Sequence, residues 1–200
     1  MRVSCAALAM AAALGLVATT EARADRGGPP PLTASAAVLV DGRDGHVLYR
    51  RAASRRRAIA STTKLMTALI ALERLPSRRR LTAPVYNAGA AESLIGLRPG
   101  ERMAVADLLR ALLLESANDA AVDLAENIAG SREAFVEQMN ERASELGLDH
   151  TRYANPIGLD DPANYSSARD LATLARRLLR NRRFARIVMA TSAGPCLRVR

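Results

Sequence analysis

The sequence predicts an α/β fold, in which an N-terminal β-hairpin precedes a larger helical region. Three observations favour it: alternating apolar segments flank a turn near residue 41, five later segments repeat apolar residues at helical spacing, and loops containing Gly or Pro separate several of them. With 200 residues, 49% of them hydrophobic, the chain has the size and composition of one globular domain.

The start of the chain has the layout of a targeting segment. An apolar, alanine-rich run follows Arg2 and ends at Ala22-Arg23-Ala24. This predicts a secretory signal peptide over residues 1–24 and an exported, periplasmic or extracytoplasmic protein. A transmembrane anchor is the alternative, but the run is short for a span and rich in small residues. Residues 25–34 are rich in Gly and Pro and predict a flexible lead-in, so the folded domain is expected over 35–200.

The folded part is expected to open with a hairpin. Ser35–Val40 and His46–Arg50 flank the turn sequence Asp41-Gly42-Arg43-Asp44-Gly45. Two strands do not form a stable sheet alone, so this hairpin needs partner strands. Apolar periodicity then predicts five helices, over residues 58–75, 105–114, 119–129, 131–146 and 168–180. The sequence Ser167-Ala168-Arg169-Asp170 resembles a capping box that opens the last one. No further strand is expected after Phe184.

The charge of the chain comes almost entirely from arginine. The formal net charge is +9, and Lys64 is the single lysine among 29 basic residues, which leaves 28 arginines. A nucleic-acid binder is one interpretation, but the arginines are dispersed and aromatic residues make up only 3%. We expect no nucleic-acid partner and assign the clusters at 78–80 and 176–183 to a solvated surface.

Metal and cofactor sites are not expected. Cys5 and Cys196 cannot build a disulfide framework, and the first of them lies in the predicted signal peptide. His46 and His150 are isolated, so no spacing resembles a metal site.

Two short motifs could carry chemistry. Ser61 and Lys64 are three residues apart on a predicted helix, which places a hydroxyl and an amine on the same face. The pair suits a nucleophile and its base, whereas the alternative is that Ser61 is only a helix cap. A lysine in the first turn opposes the helix dipole, which with burial would lower its pKa. Ser116-Ala117-Asn118 lies between two predicted helices, where it is either a turn sequence or a second catalytic element.

With these motifs the chain resembles D-alanyl-D-alanine carboxypeptidases of the low-molecular-mass penicillin-binding protein family. The matching stretches, in the family's order, are ASTTKLMTAL from Ala60, LRPGE from Leu97, SANDAA from Ser116, AFVEQMN from Ala134, LGL from Leu146, and NPIGLDDP with YSSARDLA from Asn155 onward. The resemblance implies the serine β-lactamase and penicillin-binding transpeptidase-like fold.

The resemblance also implies a reaction and its residues. Ser61 would be the nucleophile, Lys64 the general base, and Ser116 a proton relay. Asn118 would bind the substrate backbone or orient Lys64. The implied partners are a peptidoglycan stem peptide ending in D-Ala-D-Ala and β-lactams as covalent inhibitors, with peripheral association with the membrane or cell wall left open.

One family element has no counterpart. The family's third motif, Lys-Thr-Gly on a strand edging the cleft, cannot be present because Lys64 is the only lysine. The end, TSAGPCLRVR, no longer resembles the family, which predicts a truncation or frame change near Ser192, an incomplete sheet that lacks C-terminal strands, and weak or no activity.

Two other functions stay open. An inactive relative that binds cell-wall peptide or an envelope partner is one. A class A-like β-lactamase is less favoured, because Ala117 stands where that class usually has Asp and no acidic residue is evident for a deacylating water.

Overall fold

The computed structural model describes residues 31–190, so the predicted signal peptide, most of the lead-in and the last ten residues lie outside the described part. The strands are β1 (Ala37–Val40), β2 (Val47–Arg51), β3 (Arg57–Ala58), β4 (Arg80–Thr82), β5 (Arg102–Ala104) and β6 (Tyr165–Ser166). The helices are α1 (Lys64–Arg74), α2 (Val105–Leu114), α3 (Asn118–Ala129), α4 (Arg132–Glu145), α5 (Ala168–Leu179) and α6 (Arg182–Val188).

Three two-stranded antiparallel sheets connect parts of the described chain. The predicted hairpin is confirmed, since β1 pairs with β2, and β4 pairs with β5. The β3–β6 pair joins segments more than a hundred residues apart in sequence, with Arg57 opposite Ser166 and Ala58 opposite Tyr165. This pair brings the chain just before Ser61 next to the end of the 155–164 loop.

The core lies between helices. The helix α3 packs against α1, α2 and α4, and α5 packs against α1 and β1. Small residues make the close packing of α3 feasible, since Ala120, Ala121 and Ala125 are fully buried. Met66 on α1 and Leu108 on α2 are also completely buried. Helix α3 therefore presents its first residue, Asn118, from a rigid support.

Apolar periodicity located most helices to within one or two residues, but it was wrong at the start of α1. A helix was expected from residue 58, whereas Arg57–Ala58 is a strand and Ala60–Thr63 forms a 3-10 turn before α1. The reason is tertiary, because pairing with β6 holds this segment extended.

The sixth helix was not predicted. The Asn181 side chain caps it by accepting N–H bonds from Arg183 and Phe184, and Phe184 is buried. The assignment of Arg183 to a solvated surface was wrong as well, since its guanidinium donates to the carbonyls of Leu72 and Leu75 near the end of α1. Within residues 31–190, no helix is long and apolar enough to cross a bilayer.

Candidate active site

The 3-10 turn displays Ser61 at the surface. Ala60 adopts a φ of +44°, a conformation uncommon outside glycine, and Ser61 follows it as an exposed residue. The hydroxyl of Ser61 does not cap α1, whose N-cap is Thr63. The alternative that Ser61 serves as a helix cap is thus wrong, and its side chain is left for another role.

Lys64 is the first residue of α1 and lies beneath Ser61. It is 3% exposed, and its Nζ donates to Ser61 Oγ at 3.1 Å and to the carbonyl oxygen of Ile157 at 2.7 Å. Burial penalises the charged amine and lowers the pKa of Lys64 to about 8, although the negative charge of Glu92 opposes this shift. The structure therefore brings the predicted nucleophile and base together, and burial makes the neutral form of the amine more accessible than it is in an exposed lysine.

A tight loop at residues 155–159 forms the floor of this pair. Asn155 Oδ1 accepts N–H bonds from Gly158 at 2.7 Å and Leu159 at 3.1 Å, which holds the loop in one shape. Thr67 on α1 donates to the Pro156 carbonyl at 2.8 Å. Lys64 and Thr67, one turn apart on α1, thus bind consecutive carbonyl groups of the loop.

Gly158 touches the backbone of the nucleophile turn. It has a φ of +89°, and a Cβ built there would lie 2.1 Å from the carbonyl oxygen of Ala60 and 2.9 Å from the nitrogen of Ser61. Only glycine fits this contact. The sequence identified NPIGL as a family-like stretch but gave no reason to connect its glycine to Ser61.

The second motif lies at the junction of α2 and α3. Ser116 is half-buried and has a φ of +56°, so the backbone turns sharply at this residue. No hydrogen bond joins Ser116 to Ser61 or Lys64 among the described residues. Asn118 is buried, and its side chain donates to Glu92 rather than contacting Lys64. The expectation that Asn118 could orient Lys64 directly is not supported by this arrangement.

Glu92 is a member of the site that the sequence did not reveal. Its Oε2 accepts from Asn118 Nδ2 at 2.6 Å and from the Tyr86 hydroxyl, and its Oε1 accepts from the Gly89 N–H at 2.7 Å. Burial alone would raise the pKa of Glu92, but the hydrogen bonds together with Lys64 lower it overall. Glu92 is therefore ionised. Nothing in its sequence context, AAESL, distinguishes it from a surface glutamate.

Asp119 fixes the neighbouring chain against α3. Its carboxylate accepts N–H bonds from Gly96 at 2.8 Å and Leu97 at 3.0 Å. A negatively charged side chain in the first turn of a helix is also favoured by the helix dipole. The loop that carries Glu92 is thereby anchored to the helix that carries Asn118.

A cleft of about 540 Å³ adjoins these residues. Its lining includes Tyr86, Glu92, Pro156 and Ile157, together with residues of α4. It is large enough for part of a peptide, and Ile157, whose carbonyl accepts from Lys64, connects its lining to the Ser61–Lys64 pair. Within the described residues, no group of three or more His, Cys, Asp or Glu side chains is placed to hold a metal ion.

Comparison with known proteins agrees with the predicted family. A family model described as D-alanyl-D-alanine carboxypeptidase matches residues 23–193. The chain belongs to the D-alanyl-D-alanine carboxypeptidase family. The carboxypeptidase DacF of Bacillus subtilis is 41% identical over 152 residues, which are 74% of this chain and 39% of DacF. The carboxypeptidase DacD of Escherichia coli is 37% identical over 162 residues, which are 76% of this chain and 42% of DacD.

Solved structures confirm the predicted fold class. Penicillin binding protein 6B from Escherichia coli superposes with a TM-score of 0.80 at 33% identity, covering 86% of this chain and 58% of that protein. A D-alanyl-D-alanine carboxypeptidase from Mycobacterium tuberculosis superposes with a TM-score of 0.77, also at 33% identity, covering 84% of this chain and 64% of that protein. This chain spans about two fifths of the length of DacF and DacD.

Proposed function

We propose that this carboxypeptidase family member removes the terminal D-alanine from peptidoglycan stem peptides through an acyl-enzyme on Ser61. The observation that carries the proposal is the Ser61–Lys64 pair, in which an exposed hydroxyl lies 3.1 Å from a buried amine. With a pKa of about 8, Lys64 is neutral in roughly one molecule in ten at pH 7, and that fraction can act as a base.

The reaction divides into two steps. In the first, Ser61 Oγ attacks the carbonyl carbon of the penultimate D-alanine while its proton passes to Lys64 Nζ. The C–N bond then breaks, and the departing D-alanine nitrogen takes a proton that the Ser116 hydroxyl relays from Lys64. In the second step, water attacks the ester and gives a proton to Lys64, which returns it to Ser61 Oγ. The products are the shortened peptide and free D-alanine.

The remaining residues bind and stabilise. The backbone N–H of Ser61 would donate to the oxyanion that develops on the attacked carbonyl. Asn118, which is buried at the start of α3, would hydrogen-bond the substrate backbone. The cleft beside Glu92 and Ile157 would receive the part of the stem peptide that precedes D-Ala-D-Ala. β-Lactams would acylate Ser61 in place of the peptide.

The proposed setting is outside the cytoplasm. The apolar run after Arg2 and the Ala22-Arg23-Ala24 site support export by a cleaved signal peptide, and peptidoglycan lies on that side of the membrane. The excess of arginine would suit peripheral contact with an anionic membrane or cell-wall surface.

The test is the intact mass of the purified chain after incubation with a penicillin, beside the Ser61→Ala variant. Opening of the β-lactam ring adds the whole inhibitor, so an increase equal to its mass on the wild type alone supports Ser61 as the nucleophile. Release of D-alanine from a tripeptide ending in D-Ala-D-Ala is then measured. An unmodified wild type that circular dichroism shows to be folded would contradict the proposal.

A second candidate is a relative that binds cell-wall peptide without turnover. One observation favours it: the only lysine is Lys64, so these 200 residues do not supply a Lys-Thr-Gly motif. Binding of a D-Ala-D-Ala peptide by a chain that penicillin leaves unmodified would support this candidate. Consumption of penicillin without a lasting adduct would instead indicate a β-lactamase.

A further inference from the structure

The geometry points to Glu92 as a positioning residue of this site, which fixes the amide of Asn118 and presents a negative charge to the amine of Lys64. The inference rests on the proposed function for Ser61 and Lys64. It assigns Glu92 no contact with substrate, because its carboxylate is already engaged by the protein.

Glu92 is held from three directions. Tyr86 and Asn118 both donate to Oε2, and the Gly89 N–H donates to Oε1 at 2.7 Å. Both carboxylate oxygens therefore have partners, which leaves the group one orientation. The Arg132 guanidinium lies 5.7 Å from the centre of the Tyr86 ring, so the tyrosine is itself supported from α4.

The carboxylate determines which way the Asn118 amide faces. The Asn118 backbone N–H donates to the Ser93 carbonyl at 2.8 Å while its Nδ2 donates to Glu92 at 2.6 Å, so consecutive residues of one loop hold both its backbone and its side chain. A flipped amide would place its oxygen against the carboxylate, which is unfavourable. The amide oxygen of Asn118 is consequently directed away from Glu92 and available to a substrate N–H.

The same carboxylate acts on Lys64. Among the described residues, the hydrogen-bond partners of the Lys64 amine are the hydroxyl of Ser61 and the carbonyl of Ile157, and neither carries a charge. Burial lowers the pKa of Lys64 and Glu92 raises it. Removal of the Glu92 charge should therefore move the titration of Lys64 to lower pH. Charged residues farther along the cleft, on α4, are Arg132, Glu133 and Glu137.

Three variants of the full chain separate charge from hydrogen bonding. Glu92→Gln keeps an oxygen that can accept from Asn118 but removes the charge, whereas Glu92→Ala removes both. Glu137→Gln is the matched control, because Glu137 lines the same cleft, is exposed, and forms no hydrogen bond to the site residues described above. This control variant also removes one negative charge from the cleft, but it leaves the hydrogen bond between Glu92 and Asn118 intact.

The single lysine makes the first readout direct. Labelling with lysine carrying ¹³C at Cε gives one side-chain NMR signal, whose pH titration reports Lys64 alone. We expect the midpoint near 8 in the wild type and lower by about half a pH unit or more in Glu92→Gln. The midpoint of Glu137→Gln should stay within about 0.2 units of wild type, since an exposed charge is screened.

The second readout is the rate of acylation by a penicillin. Glu92→Ala should be slower by about tenfold or more at every pH, because Asn118 loses its charged partner. The acylation rate of Glu92→Gln should fall by less, and the decline of that rate on the acid side should move to lower pH. Coincident titrations of Glu92→Gln and Glu137→Gln, or an unchanged acylation rate in Glu92→Ala, would overturn the inference. Absence of acylation in the wild type would refute the proposed function, and the NMR titration would still decide the role of Glu92.

Discussion

Substitution of Gly158 by alanine should displace the nucleophile. The new methyl carbon would lie 2.1 Å from the Ala60 carbonyl oxygen, where ordinary contact begins near 3.4 Å. The two backbone segments would have to separate by roughly 1.3 Å, because the atoms that the methyl group meets belong to the backbone and not to a flexible side chain. A misplacement of about 1 Å can lower a rate about 100-fold, so we expect a loss of that size in acylation of Ser61.

A matched control separates the effect of the steric contact from the effect of the backbone conformation. Gly130 has a φ of +84°, close to the +89° of Gly158, but a Cβ there would meet nothing within 4 Å. Both alanine variants carry the strain of a positive φ, about 1–3 kcal/mol, and only Gly158→Ala adds the collision. Acylation is followed with a fluorescent penicillin and stability by urea unfolding. If Gly158→Ala matched Gly130→Ala in both measurements, the contact with the nucleophile turn would have no functional weight.

Three further predictions concern titration and packing. The rate of acylation should rise with pH through about 8, because the base is the neutral form of Lys64, and Lys64→Arg should abolish acylation in the penicillin mass assay. Burial, with Asp119 nearby, raises the pKa of Asp123 from 3.8 to about 7 in the folded protein, so the free energy of unfolding should fall as the pH rises between those values. Urea unfolding of Asp123→Asn should show a flatter pH dependence, because this carboxyl group is absent. Arg183→Ala should lower the free energy of unfolding by about 1–3 kcal/mol through its lost bonds to α1, whereas exposed Arg182→Ala should change it by less than about 0.5 kcal/mol in the same assay.

The sequence pattern predicted the elements of the fold whose positions depend on interactions between neighbouring residues. Apolar spacing located α2 at Val105–Leu114 without error, and the Ser167 cap was confirmed because its hydroxyl accepts the N–H of Asp170. The capping box is incomplete, however, since the Asp170 carboxylate accepts from His150 and Thr151 instead of returning to the cap. These hydrogen bonds to Asp170 depend on a loop from another part of the chain, which the spacing of residues does not reveal.

The residues of the site also fall into those that the sequence could predict and those that it could not. Ser61 and Lys64 could be identified from their spacing and from the rarity of lysine, because a helical turn alone brings them together. Glu92 and Gly158 could not, since each acts across the fold on a residue 26 or more positions away. Their residue types are ordinary for loops, and only the tertiary structure shows what they contact.

The hydrogen bond from Lys64 to the Ile157 carbonyl, described above as part of the loop's attachment, also sets the direction of proton transfer. A carbonyl oxygen can only accept, so the amine must keep an N–H pointed at Ile157 in both of its protonation states. When Lys64 loses a proton, the lone pair therefore does not face Ile157, and within residues 31–190 the other hydrogen-bond partner of the amine is the Ser61 hydroxyl. The fixed acceptor thus leaves the lone pair free to face the hydroxyl, and in that arrangement the amine need not rotate between taking a proton and returning it.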